Sequence, residues 1–202
     1  MNGDNKGVVI IGLVIILLTG VLIYISLPKS AIEIYKNVGN GINPAKGNSD
    51  SSTIIIEFSD FQCPACKASL PIINEILNEQ NVVFYYRNFP LTIHENSFIA
   101  AEAAECANEQ GKFWQYHDIL FENQNKLDKE SLKLYAIQIE LNKEQFNSCL
   151  DSEKYKYEVE RDLNDGKMLD VQGTPTFFIN GRKVFGANKE LIKNIIEEES
   201  EK

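Results

Sequence analysis

Histidine is nearly absent from this chain. There are two, His94 and His117, and they lie too far apart in sequence to form a spaced metal-binding pair. No glycine-rich phosphate loop occurs, which removes the usual nucleotide-binding motifs. No dense basic block occurs either, and the formal net charge is -9. That balance argues against nucleic acid and anionic lipid surfaces as partners and reads as a solvated acidic surface. No cysteine precedes Cys63, so a lipid-modified N-terminal cysteine is not expected. No internal repeat is visible. The four cysteines are an even number, which is compatible with an oxidising compartment without requiring one.

The chemistry is concentrated in one stretch, Glu57-Phe58-Ser59-Asp60-Phe61-Gln62-Cys63-Pro64-Ala65-Cys66-Lys67. A β-branched run, Thr53-Ile54-Ile55-Ile56, leads into it, and a helical pattern follows. The reading is strand, tight turn and helix start, with Cys63 at the turn. A thiol there meets unpaired N–H groups and the positive end of the helix dipole, so its pKa falls below the free value of about 8.5. Pro64 suits the first helical position, where no N–H is needed. Cys66, one turn on, can close a small disulfide with Cys63. The alternative is half of a structural zinc site, which normally needs a second close pair of ligands. Cys106 and Cys149 are neither close in sequence nor paired with histidine, so the strand–turn–helix context favours a redox pair.

Along the chain, residues 1–7 form a polar tail. Residues 8–27 carry no charge and, as a helix, would extend roughly 30 Å, enough to cross a bilayer. An uncleaved membrane anchor is expected over a cleaved signal peptide, because no small-x-small cleavage pattern follows. The distribution of lysines does not decide orientation. The short tail and the thiol chemistry place the rest of the chain outside the cytoplasm. Residues 28–52, rich in Asn, Gly, Ser and Lys, read as a flexible spacer, with a short first strand at Ala31–Val38. Residues 53–91 then read as a βαβ unit with a right-handed crossover. Its helix is Lys67–Gln80, kinked or shortened by Pro71, and its second strand is Asn81–Leu91.

Residues 92–170 show helical patterns without a strand. Helices are expected at Glu95–Gln110, Phe113–Asn123, Lys129–Ile139 and Lys143–Leu150, with a last one from Asp151 or Ser152 to Leu169. Asp128 is the expected N-cap of the third, and Asn142 with Gln145 a capping box for the fourth. Strand patterning returns at Gly173–Ile179. Asn180-Gly181 signals a two-residue hairpin to Arg182–Phe185, and Asn188 caps a final amphipathic helix. Residues 171–202 thus complete an α/β fold split by a helical insertion.

Three motifs now carry a resemblance. Phe58–Cys66, Gln110-Gly111-Lys112-Phe113-Trp114 and Gly173-Thr174-Pro175-Thr176-Phe177-Phe178-Ile179-Asn180-Gly181 resemble the DsbA-like thiol–disulfide oxidoreductases of the thioredoxin superfamily, over about residues 47–198. The resemblance implies a thioredoxin fold with an inserted all-helical domain. It also implies a cis Thr174–Pro175 bond beside the redox pair. By the same resemblance Cys63 is the attacked sulfur and Cys66 the resolving thiol. Thr174 and Pro175 hold an extended substrate chain, and Glu57 is a buried acid that relays protons near Cys66. Read from its strand alone, Glu57 would be a surface carboxylate. Ala65 departs from strongly oxidising members, which carry histidine there.

Cys106 and Cys149 fall on apolar helix faces. They are either inert buried thiols or, as in relatives of this kind, a structural disulfide across the insertion. His94 and His117 read as a cap or packed residues, and the aromatics Phe113, Trp114, Tyr116, Phe121, Phe177 and Phe178 as core. No cofactor or metal is expected. The implied function is a single-pass, membrane-anchored, extracytoplasmic oxidase of thiol-containing exported proteins, reset by a quinone-linked or other membrane redox partner. Disulfide isomerase and reductase are the alternatives within the chemistry. A copper carrier using Cys63 and Cys66 is the alternative outside it.

Overall fold

Side chains alternate across strand β2 (Ile54–Ser59), and that alternation separates two layers of helix. In a computed structural model, which describes residues 44–201, β2 lies at the centre of a five-stranded sheet of order β1-β3-β2-β4-β5. The other strands are β1 (Ala45–Gly47), β3 (Val83–Asn88), β4 (Thr176–Ile179) and β5 (Arg182–Phe185). β2 and β3 are parallel, and the remaining pairings are antiparallel.

Helix α1 (Pro64–Glu79) connects β2 to β3. It runs on through Pro71 rather than ending there. The insertion supplies α2 (Ser97–Asn108), α3 (Phe113–Glu122), α4 (Lys129–Gln138), α5 (Lys143–Asp151) and α6 (Lys156–Met168), and α7 (Lys189–Ser200) closes the fold. Ile55, Phe84, Phe177 and Ile179 pack with Ile73 and Ile76 of α1 and Ile192, Ile195 and Ile196 of α7. On the opposite face, Phe58 meets Phe89 and Phe178 edge-on. Helix α6 comes so close there that a Cβ on Gly166 would sit 2.6 Å from the Phe89 ring. Arg87 of β3 fastens α6 through Asp162 at 2.8 Å and Asp165 at 2.5 Å.

The expected N-caps at Asp128, Asn142 and Asn188 each accept from the backbone N–H three residues on. The capping box at Asn142 is half formed. The Gln145 amide donates to Glu109, and the Asn142 N–H donates to Gln110 instead. Helix α6 begins at Lys156, not at Asp151 or Ser152, because Glu153 takes a left-handed φ of 52° that separates it from α5. At the expected hairpin, Asn180 and Gly181 both have positive φ, as a two-residue turn requires.

The flexible-spacer reading of 28–52 is corrected at its end. Ala45–Gly47 is a strand on β3. The Asn48 N–H donates to the Val82 carbonyl at 2.9 Å, and Ser51 Oγ donates to the Asn81 carbonyl at 2.7 Å. Gly47, at φ 92°, approaches so closely that a Cβ would stand 2.4 Å from the Val82 oxygen. Composition suggested coil, whereas these polar residues are turn formers holding an edge strand. The Trp114 indole N–H donates to the Ala45 carbonyl at 2.9 Å. The tail at 1–7, the anchor at 8–27, the strand at Ala31–Val38 and the rest of the spacer lie outside the described residues. Among the described residues no helix is long and apolar enough to cross a membrane.

Candidate active site

Cys63 is the N-cap residue of α1, with Pro64 in the first turn. Its N–H donates to the Asp60 carbonyl at 3.0 Å, and its carbonyl accepts the first helical bond from the Lys67 N–H at 3.2 Å. This places the Cys63 sulfur among the free N–H groups of the helix start, as the spacing predicts. Cys66, one turn on, is fully buried, and both thiols are free. Thr174–Pro175 is cis, and the Thr174 carbonyl lies 3.4 Å from Cys63 Sγ. The β2–α1 turn and the segment entering β4 therefore meet at one point, although 111 residues separate them.

The two thiols are driven apart electrostatically. Cys63 is pulled down to about 5, chiefly by the hydrogen bond from the Cys66 thiol, against the opposing effect of burial. Thr174 and the backbone N–H groups of Cys66 and Ala65 pull in the same direction as Cys66. Ala65 thus contributes through its backbone where strongly oxidising relatives are expected to use a histidine side chain. The Thr174 hydroxyl is buried with no partner while Cys63 is a thiol, so it is free to turn to the thiolate. Cys66 is pushed far up by burial, then by Cys63 and by Glu57. One sulfur is therefore a good leaving group at neutral pH, and the other holds its proton.

Glu57 is not at the surface. It is 2% exposed on the side of β2 facing α1. The Ser59 hydroxyl donates to its Oε1 at 2.9 Å, and Ser69 Oγ stands 3.4 Å from the same oxygen while donating to the Cys66 carbonyl at 2.6 Å. Burial pushes the carboxyl up to about 8, against the hydroxyls. A protonated acid therefore lies behind the buried thiol at neutral pH. Lys46, Glu57, Asn74, Trp114 and His117 line a cavity of about 10 Å³, room for one water molecule.

Cys106 and Cys149 are bonded, with a Cα–Cα distance of 5.9 Å, and join α2 to α5 within the core of the insertion. His117 is a packed residue, ringed by Phe61, Tyr86, Phe113, Trp114 and Phe121. His94 reaches Asp60 at 2.8 Å, and the buried Asp60 also accepts from the N–H groups of Gln62 and Leu91. Asp60, Ser59 and Ser69 were not anticipated from sequence. Ser59 and Asp60 stand inside the motif, where strand alternation places Ser59 on the face of Glu57. Ser69 carries no such mark.

The family model described as Thioredoxin matches residues 40–198. A thioredoxin-like oxidoreductase from Silicibacter pomeroyi superposes with a TM-score of 0.75 at 23% identity, over 82% of this chain and 97% of that one. BdbD from Bacillus subtilis, in its oxidised form, gives 0.71 at 27% identity, over 80% and 94%. The thiol–disulfide exchange protein α-DsbA2 from Wolbachia pipientis gives 0.73 at 24%, over 84% and 94%. Among curated proteins, the Na(+)/H(+) antiporter NhaA 1 of Salinispora arenicola is 35% identical over 144 residues, 70% of this chain. The match spans only 22% of that antiporter's length, and similar antiporters of other bacteria match over comparable shares.

Proposed function

Because the chain belongs to the thioredoxin family, as a DsbA-like thiol–disulfide oxidoreductase, we propose that it works as an oxidase, donating the Cys63–Cys66 disulfide to exported proteins. The observation that carries this direction is the split between the two thiols. A Cys63 thiolate held at about 5 stabilises the reduced pair, and a stabilised reduced form makes the disulfide form a strong oxidant.

A substrate thiolate attacks Cys63 Sγ, the Cys63–Cys66 bond breaks, and the leaving Cys66 sulfur takes a proton. Glu57, protonated at neutral pH and in electrostatic contact with Cys66, supplies that proton and recovers it from solvent. A second substrate thiolate then attacks the substrate sulfur of the mixed disulfide, and Cys63 leaves as a thiolate. Two electrons pass to the protein, which ends as one thiolate and one thiol, while the substrate gains a disulfide. Thr174 and Pro175 line the point where the extended substrate chain lies beside Cys63.

Residues 8–27 tether the protein to the membrane with its redox domain outside the cytoplasm. There a quinone-linked or other redox partner takes the two electrons and restores the disulfide. The uncharged run of that length and the thiol chemistry support this placement. The test is equilibration with glutathione together with thiol trapping in cells. A pair found mainly as disulfide, with a potential above about -200 mV, is expected. A pair held mainly as dithiol near the thioredoxin value of about -270 mV would overturn the oxidase direction.

A further inference from the structure

The backbone that presents Cys63 is held from outside its own motif. Gln124 lies in the loop between α3 and α4, far along the chain from the turn. Its side-chain Nε2 donates to the Phe61 carbonyl at 2.7 Å and to the Cys63 carbonyl at 3.0 Å. A primary amide nitrogen carries two hydrogens, and here each has one acceptor. The two carbonyls flank Gln62, so one side chain spans the whole turn into α1. We propose that Gln124 is a positioning residue of the redox centre, fixing the turn that holds Cys63 and coupling it to the helical insertion.

The loop is itself well anchored. The Lys126 N–H donates to the Asn123 carbonyl at 2.9 Å, and the Tyr135 hydroxyl donates to the Lys126 carbonyl at 2.9 Å. Lys67 of α1 adds a second tie, donating to the Glu122 carbonyl at 3.3 Å. The Phe61 ring, next to the clamped carbonyl, packs on Phe121 of α3 at 5.1 Å between centroids. From the other side, the Asn96 N–H donates to the Gln62 side chain at 2.6 Å. The turn is thus gripped by the insertion on both flanks.

The grip matters because the thiolate depends on direction. The N–H groups of Ala65 and Cys66 favour the charged sulfur only while the peptide planes after Cys63 point them at it. The Cys63 carbonyl begins this segment, and Gln124 and the Lys67 N–H together fix its plane. Removing the amide frees that plane and weakens the thiolate without touching either sulfur.

This inference rests on the redox reading of the site, and the experiment separates the two. Gln124→Met keeps the length of the side chain and removes both donated bonds. Gln124→Ala removes the side chain and serves if Met does not fit. In the full-length chain with both cysteines present, Cys63 is titrated by thiolate absorbance and the pair is equilibrated with glutathione. Each variant is expected to raise the Cys63 pKa by about half to one unit. The glutathione equilibrium should move three- to tenfold toward the disulfide, about 15–30 mV more reducing. An unchanged pKa and potential, with or without a lower melting temperature, would overturn the positioning role. A parent chain whose Cys63 titrates as an ordinary thiol would overturn the redox reading itself.

Discussion

The low pKa of Cys63 makes the stability of the reduced protein depend on pH, and the size of the effect follows from the site. A thiol depressed in the folded state binds its proton less tightly there than when unfolded. Its contribution is therefore complete above the unfolded value and disappears as pH falls through the folded one. The window runs from about 9 down to about 5. At pH 7 the difference between these values is worth about 2.7 kcal/mol. With Cys63 buried, that figure is an upper bound, because residual structure in the unfolded chain also perturbs the thiol, and roughly 1–2 kcal/mol is expected.

The perturbation is Cys63→Ala, and the assay is urea unfolding of both reduced proteins between pH 4.5 and 9. The wild type alone would mislead, because Glu57 works in the opposite sense. Its carboxyl is raised from 4.5 to about 8 in the folded state, so it holds a proton that the unfolded chain has lost, and stability falls as pH rises through that window. Subtracting the Ala variant cancels Glu57 to first order. The difference, wild type minus variant, should be near zero at pH 4.5 and climb by about 1–2 kcal/mol by pH 7. A flat or falling difference would refute the claim that the turn stabilises the Cys63 thiolate.

Glu57→Gln should remove the opposing slope, so the variant gains stability over wild type between pH 4.5 and about 8, by roughly 2–4 kcal/mol. The same variant should slow proton delivery to Cys66 by about tenfold or more, read as slower single-turnover thiol exchange. Replacing Cys106 and Cys149 together by serine opens a cross-link with a sequence separation of 43. Stability should fall by about 4 kcal/mol in denaturant titration, with thiol–disulfide exchange retained in the folded fraction. A redox-inactive folded fraction would count against a purely structural role for that pair.

The fold was legible where local chemistry and tertiary contact agree. Asp128, Asn142 and Asn188 cap helices because a short side chain three residues ahead of an N–H can reach it wherever the helix goes. Cys63, Pro64 and Cys66 were legible because a turn into a helix sets their environment locally. Thr174, Pro175, the Cys106–Cys149 pair and the relay role of Glu57 came from resemblance. The sequence around each allowed more than one reading, and a surface position for Glu57 was one of them. Gln124 left no trace, since its role depends on a loop folding back across 61 residues onto two carbonyls. The strand at Ala45–Gly47 was missed for the reverse reason. Its residues have turn-like preferences, and pairing with β3 overrides them.

Among the described residues the sheet ends in β1 on one side and β5 on the other, and these margins bear on the company this protein keeps. On the proposed reading as an oxidase of exported chains, the protein meets polypeptides that are extended and hungry for backbone partners. A bare sheet edge would capture them by strand addition. At one margin, β1 is only three residues long, ends in a glycine at positive φ, and has its Ala45 carbonyl taken by the Trp114 indole. At the other, β5 begins with Arg182 and Lys183, which are drawn to Glu198 and Asp170 and set charge along the border. Among the described residues both margins are blunted against adhesion, and under the proposed function the approach beside Cys63 and Pro175 is then the place where a passing chain is engaged and let go.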